Sequence, residues 1–238
     1  MNRLGSSLLV LIALSAAIAA QSKPQIRYPG ATREAALQCP GAACLGSVTV
    51  SPGEQVEFWA AGSNLTGVSA IQFQPSEGIE VGKIETTNET VHAVLKISPE
   101  AALGKRSFIV TSAAGNSNQS DGELNISTFR ISNLKIDNVA NDNGTLTFRV
   151  TVNYMDRTGA VSSDGLNLYS SLRFAGQVIG GVGSGYMFKP EGRTPGAKTG
   201  VMSFRRSYEN MQGTTGAIFK ISLEAKDGRE SDKLLAAF

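Results

Sequence analysis

This chain of 238 residues contains a single histidine, His92. A Ser-His-Asp triad would need His92 as its general base. His92 sits in the alternating run Val91, Ala93, Leu95, Ile97, with no Gly-x-Ser-x-Gly elbow beside it, so the period of two places it on the outer face of a strand. A second constellation imitates the penicillin-recognising hydrolases: Ser132-x-x-Lys135, Lys198-Thr199-Gly200 and Tyr208-x-Asn210. Its order is wrong, because the Tyr/Ser-x-Asn element must precede the Lys-Thr-Gly strand and the Ser-x-x-Lys must open a helix. Segment 192–199, GRTPGAKT, imitates a phosphate loop, but Ala197 stands where a glycine must directly precede Lys198. The chain is therefore read as non-enzymatic, with no cofactor.

Residues suited to binding are easier to find. The run GQVIGGVGSG at 176–185 carries five glycines and leads into Tyr186, Met187 and Phe188, with Arg193 and Lys198 following. A mobile glycine-rich loop would expose the aromatics to a ligand, although a plain hairpin connection explains the same composition. Tyr186, Phe188, Arg193 and Lys198 are the candidate ligand contacts. Lys189, Arg205 and Arg206 extend a basic cluster around them, broken by Glu191, that an acidic polysaccharide would exploit. Trp59 follows Phe58 in VEFWA; with Val56, Phe58 and Ala60 as the inward set, Trp59 is left to stack on a sugar or to cover a junction between domains. Asp137, Asn141, Asp142 and Asn143 cluster before Gly144 and supply oxygens of the kind calcium takes, or simply a turn. Cys39 and Cys44 are the only cysteines. In an oxidising compartment they are expected to pair as a disulfide; a redox pair is usually spaced C-x-x-C and a zinc site needs four ligands.

The elements that position these residues read as strands. Leu146, Phe148, Val150, Val152 and Tyr154 share one face of the run 145–154; Ala217, Phe219, Ile221, Leu223 and Ala225 do the same at 217–225. Beyond residue 20 no comparable window holds helical spacing. Pro52-Gly53, Ser63-Asn64, Asn143-Gly144, Thr158-Gly159, Asp164-Gly165 and Asp227-Gly228 punctuate the strands with turns. The fold class expected is all-β: two tandem β-sandwiches. Residues 21–44 form an N-terminal tail with the disulfide loop, 45–115 the first sandwich, 116–123 a polar linker with no apolar side chain, and 124–238 the second sandwich.

Within 46–115, the strand SVTV, the turn at Pro52-Gly53, the strand VEFWA and the phrase VHAVLKISPEAALGKRSFIVTSAAG resemble bacterial immunoglobulin-like domains of the IPT/TIG type, on Ile97, Pro99, Gly104, Arg106, Val110, Thr111 and Gly115. The closing phrase IFKISLEAKDGRESDKLLAAF is similar to the last hairpin of immunoglobulin-like or fibronectin type III modules. These resemblances imply a surface or secreted module for binding or spacing, and carry no catalytic residue with them.

Residues 1–20 set the compartment. Arg3, the apolar run Leu8–Leu14 and the small residues up to Ala20 read as a cleaved secretory signal, with Ala17 and Ala19 at A-x-A spacing and cleavage after Ala19 or Ala20. The apolar core is too short to span a bilayer, so no membrane span is expected after cleavage. A formal charge of +2 over the whole chain argues against nucleic acid. The function expected is an exported, non-enzymatic binding, adhesion or structural module of the cell envelope, secreted, periplasmic or surface-displayed, whose partner is a protein or polysaccharide of the envelope or extracellular matrix. The alternatives are a carbohydrate- or peptidoglycan-directed accessory protein with hydrolase activity, and a fibre subunit assembled by strand addition.

Overall fold

The computed structural model describes residues 22–38, 44–182, 185, 188–211 and 213–238. The leader, Cys39 and Tyr186 lie outside the described residues. Two short edge elements come first, β1 (Gln25–Gly30) and helix α1 (Arg33–Leu37). Strands β2 (Ser47–Val50), β3 (Gln55–Ser63), β4 (Ala70–Gln74), β5 (Ile79–Val81), β6 (Glu85–Thr86), β7 (Thr90–Ile97), β8 (Gly104–Ser112), β9 (Gly115–Asn116) and β10 (Glu123–Ile126) follow. Strand order is β1-β3-β7-β5 in one sheet, with β6 beside β7, and β2-β10-β8-β4 in the other, with β9 beside β8. Lettered A to G, this is A-B-E-D against C-F-G, the immunoglobulin arrangement, with β2 added parallel to β10.

The remaining strands are β11 (Phe129–Asp142), β12 (Thr145–Asp156), β13 (Asn167–Phe174), β14 (Gln177–Val182), β15 (Thr199–Tyr208), β16 (Ile218–Glu224) and β17 (Leu234–Ala237). Here β11-β12-β15 packs against β14-β13-β16-β17. The whole described chain is an all-β sandwich architecture, as the alternating runs predict.

Period-two burial explains why these segments are strands. Val91, Ala93, Leu95 and Ile97 are buried, as are Leu146 to Tyr154 and Ala217 to Ala225 at every second position. Phe58, Phe73 and Phe108 meet edge-to-face or tilted, with ring centroids 5.0–5.9 Å apart, each pair adding about 0.5–1.5 kcal/mol beyond area burial. The buried apolar side chains form two clusters, one running from Ile26 to Ile126 and the other from Phe129 to Ala225.

Two expectations need correction. The N-terminal tail is not outside the sandwich: β1 pairs with β3, Ile26 is in the first cluster, and α1, capped by the Thr32 hydroxyl accepting the Ala35 amide, packs on β3. Nor do residues 116–123 run free between halves. Ser117 and Ser120 donate backbone N–H groups to the carbonyls of Val110 and Phe108, and Asp121 donates to Arg27. Leu124 and Ile126, expected to open the second sandwich, belong to the first cluster, and the change of core falls at Ser127–Thr128.

Candidate functional site

The expected contacts are not brought together. Tyr186 lies outside the described residues. Phe188 turns its ring into the second cluster, edge-to-face on Phe204 at 4.8 Å, while its backbone bridges Leu166. Arg193 donates through Nη1 to the carbonyls of Val161 (2.6 Å) and Asp164 (2.7 Å) and through Nε to Pro190 (3.2 Å), so it staples a loop. Of the three candidates among the described residues, only Lys198 is exposed, beside β15. Lys198-Thr199-Gly200 and Tyr208 mark opposite ends of β15, about 27 Å apart at strand rise, so the hydrolase imitation is not assembled. Asn143 and Gly144 take positive φ (51° and 79°) in the β11–β12 turn, and Asp137 faces Arg149 in the ladder. No group of three His, Cys, Asp or Glu gathers among the described residues.

His92 is on the outer face, as its period predicts. Its ring stacks on Trp59 at 4.1 Å, Nε2 bonds the Glu57 carboxylate, and Nδ1 lies 3.8 Å from Glu85. No serine hydroxyl is among the hydrogen-bond partners that His92 has in the described residues.

Polar side chains join the two core regions instead. Arg130 forks onto Asp232 (2.7–3.0 Å) and reaches Glu54 with Nη1 at 3.3 Å. Lys105 pairs with Glu230 at 2.8 Å and Glu123 at 3.2 Å, and the Asn125 amide donates to the Glu230 carbonyl. Deeper in, Arg229 Nη1 bonds the fully buried Asp156 carboxylate and the Thr128 hydroxyl.

Along one side of this seam lies a groove of about 410 Å³, walled by Tyr28, Cys44 and Gly46 from the first region and by Arg173, Lys220 and Lys233 from the second. It continues over the outer face of β13 and β16 into a shallower hollow of about 420 Å³ bounded by Tyr169, Ser171, Gly181, Lys220, Ser222 and Lys233. Pairing of β13 with β16 sets Tyr169 opposite Ser222, Ser171 opposite Lys220 and Arg173 opposite Ile218. The three cations thus lie on one diagonal: Arg173 on β13, Lys220 on β16, and Lys233 just before β17. Lys220 donates to the Cys44 carbonyl at 3.0 Å and has no ion pair among the described residues; Arg173 has no hydrogen bond or ion pair there either. Burial first, then the like charges of Lys233 and Arg173, hold the Lys220 ammonium below the ordinary lysine range. Tyr169 is 44% exposed, and its hydroxyl donates to the Glu224 carboxylate at 2.7 Å. The nearby carboxylates are Glu224, Asp121 on the groove wall, and Glu123, 3.6 Å from Lys233.

The sequence does not disclose this diagonal, because Arg173 and Lys220 stand on two separate strands and Lys233 just before a third. The available signal was the phase of Tyr169, Ser171 and Arg173, which alternate with the buried Leu168, Ser170 and Leu172.

No family model matches the chain, and no curated protein does. Among solved structures the chain is similar to the adhesin InvE of Yersinia pseudotuberculosis, with 11% identity over 90% of this chain and 58% of that one, at a TM-score of 0.29. It is similar to SGBP-B of the Bacteroides ovatus mixed-linkage glucan utilization locus, solved with a mixed-linkage heptasaccharide, with 14% identity over 78% of this chain and 43% of that one, at 0.27. Bovine butyrophilin gives 10% identity over 91% and 99% of the two chains, at 0.28. The chain spans only 58% and 43% of the first two.

Proposed function

We propose that this chain is an exported, non-enzymatic binding or adhesion module of the cell envelope that works by surface recognition. One observation carries the reading: the outer face of β13 and β16 presents an exposed tyrosine and two cations that have no acid partner among the described residues, beside a groove between two complete cores. Such a face is suited to binding an anionic or sugar-bearing surface. Export rests on the pattern of residues 1–20. Among the described residues no helix is long and apolar enough to cross a membrane. The Cys39–Cys44 disulfide belongs to the same reading, since export would oxidise the pair. Assignment of the first sandwich to the IPT/TIG type rests on Ile97, Pro99, Gly104, Arg106, Val110, Thr111 and Gly115, with Gly104 at φ 119° where the chain enters β8.

The test is cell fractionation followed by crosslinking pull-down of the purified chain on envelope material, with an assay for released reducing ends and muropeptides. Co-sedimentation with the envelope and no release is expected. Release of soluble fragments would favour the hydrolase alternative, and retention in the cytosol would remove the export premise.

A further inference from the structure

We infer that the diagonal Arg173–Lys220–Lys233, with Tyr169 beside it, binds a linear acidic polysaccharide that carries carboxylates on its sugars. This inference deepens the binding-module reading and rests on it.

The arrangement of the charges selects the ligand. Arg173 and Lys220 are diagonal neighbours across paired strands, about 7–8 Å apart at the side-chain bases, and Lys233 continues the same line beyond Lys220. A small single anion needs donors that converge on one point. Three cations set out in a row over adjoining hollows instead match charges repeated along an extended polymer. Tyr169 supplies the flat apolar surface on which a sugar ring rests, and the lack of a side chain at Gly181 keeps the floor beside it shallow.

The surrounding acids distinguish a polysaccharide from a nucleic acid. Glu224, Asp121 and Glu123 border the row, and a DNA phosphodiester backbone has no hydroxyl to donate to them. The same carboxylates accept hydrogen bonds from the hydroxyls that a polysaccharide carries on every ring. Lys220 adds a functional consequence: crowded by Lys233 and Arg173, its ammonium is held below the ordinary range and gains an anionic partner only when the ligand arrives. Binding should therefore fade on alkaline titration earlier than an unperturbed lysine would dictate.

The full mature chain is titrated with polygalacturonate, a neutral glucan and single-stranded DNA, alongside the envelope pull-down. Binding to polygalacturonate and not to the glucan is expected, weakening with salt. Arg173→Gln with Lys220→Gln should reduce affinity at least tenfold and lower the log–log salt slope by roughly one per cation removed. Tyr169→Ala should weaken polygalacturonate binding severalfold, whereas Lys198→Gln, an exposed lysine off this face, should change nothing. Unchanged thermal midpoints establish that the variants are folded. Envelope binding without polygalacturonate binding, equal or tighter binding of DNA, or affinity indifferent to the Arg173 and Lys220 changes would each overturn this inference and leave the module reading standing. Absence of envelope binding would overturn the module reading itself.

Discussion

Asp156 is a fully buried carboxylate whose environment decides a measurable part of the stability. Burial alone would raise its pKa, but the Arg229 guanidinium, the Val161 amide at 2.9 Å, and the Thr158 hydroxyl and amide at 2.9 and 3.1 Å together hold it below the ordinary aspartate value. Arg229 also grips Asp227 at 2.8 Å and Thr128 at 3.1 Å; both members of the Asp156–Arg229 pair are buried, so removing either leaves a buried charge without its main partner. Asp156→Leu should destabilise the chain by about 3–5 kcal/mol in urea unfolding, and the double change Asp156→Leu with Arg229→Met should cost less than the sum of the two single changes. The sign of the pH dependence follows from the depressed pKa. Above the unfolded aspartate value of about 3.9 the contribution is complete; as pH falls through the lower folded value it is lost. Asp156→Asn should therefore be weaker than the parent at neutral pH and less sensitive to acid below about pH 4, as read by unfolding free energy against pH. A steeper acid dependence in the variant would contradict this assignment.

Strands are held at their edges by means that differ from strand to strand. Asn118 acts on β1 as a neighbouring strand would: its Oδ1 accepts the Ile26 amide at 2.9 Å and its Nδ2 donates to the Ile26 carbonyl at 2.8 Å. Asn118→Ala should cost about 1–3 kcal/mol by leaving buried backbone groups unpaired, and should speed hydrogen exchange at Ile26 before it affects β7. A second route to the same edge is Gly62, where an added Cβ would sit 1.9 Å from the Gln25 carbonyl, so Gly62→Ala should push β1 off β3. These details explain what the sequence did and did not disclose. Strands β7, β12 and β16 were legible because each buries every second side chain. Strand β1 was not, because it contributes Ile26 and is then broken by a register shift before Pro29. Residues 116–121 looked like a linker because their polar side chains bond backbone instead of filling a core. The cations followed the same logic. Lys189, Arg193, Lys198, Arg205 and Arg206 are close in sequence and read as a patch, yet Arg193 is spent on loop carbonyls and Arg206 lies 5.3 Å over the Tyr208 ring. Arg173, Lys220 and Lys233 are distant in sequence and meet only because β13 pairs with β16 and β16 with β17.

At the scale of the molecule, two apolar cores are each closed by their own sheets while the seam between them is polar. Arg130 is its centre: it faces Asp232 in a two-pronged contact, reaches Glu54 across the seam, and the Ile131 amide beside it also donates to Asp232 at 2.9 Å. Exposed ion pairs contribute little, but this fork is half-buried and networked with backbone, which places it among the stronger polar contacts. Because the two buried apolar clusters are separate, breaking the seam should uncouple the two cores without unfolding either. Arg130→Ala is expected to cost about 1–3 kcal/mol and, in calorimetry, to separate one cooperative transition into two, with the calorimetric enthalpy exceeding the van't Hoff value. The groove above β16 has one wall from each core, with Lys220 reaching the Cys44 carbonyl across it. Faster hydrogen exchange at residues 44–46 in the Arg130→Ala chain, at temperatures where both cores remain folded, would show that the seam sets the groove's width. A single transition with unchanged exchange there would mean that the two cores hold their relation through other contacts, and that Arg130 serves only its own strand.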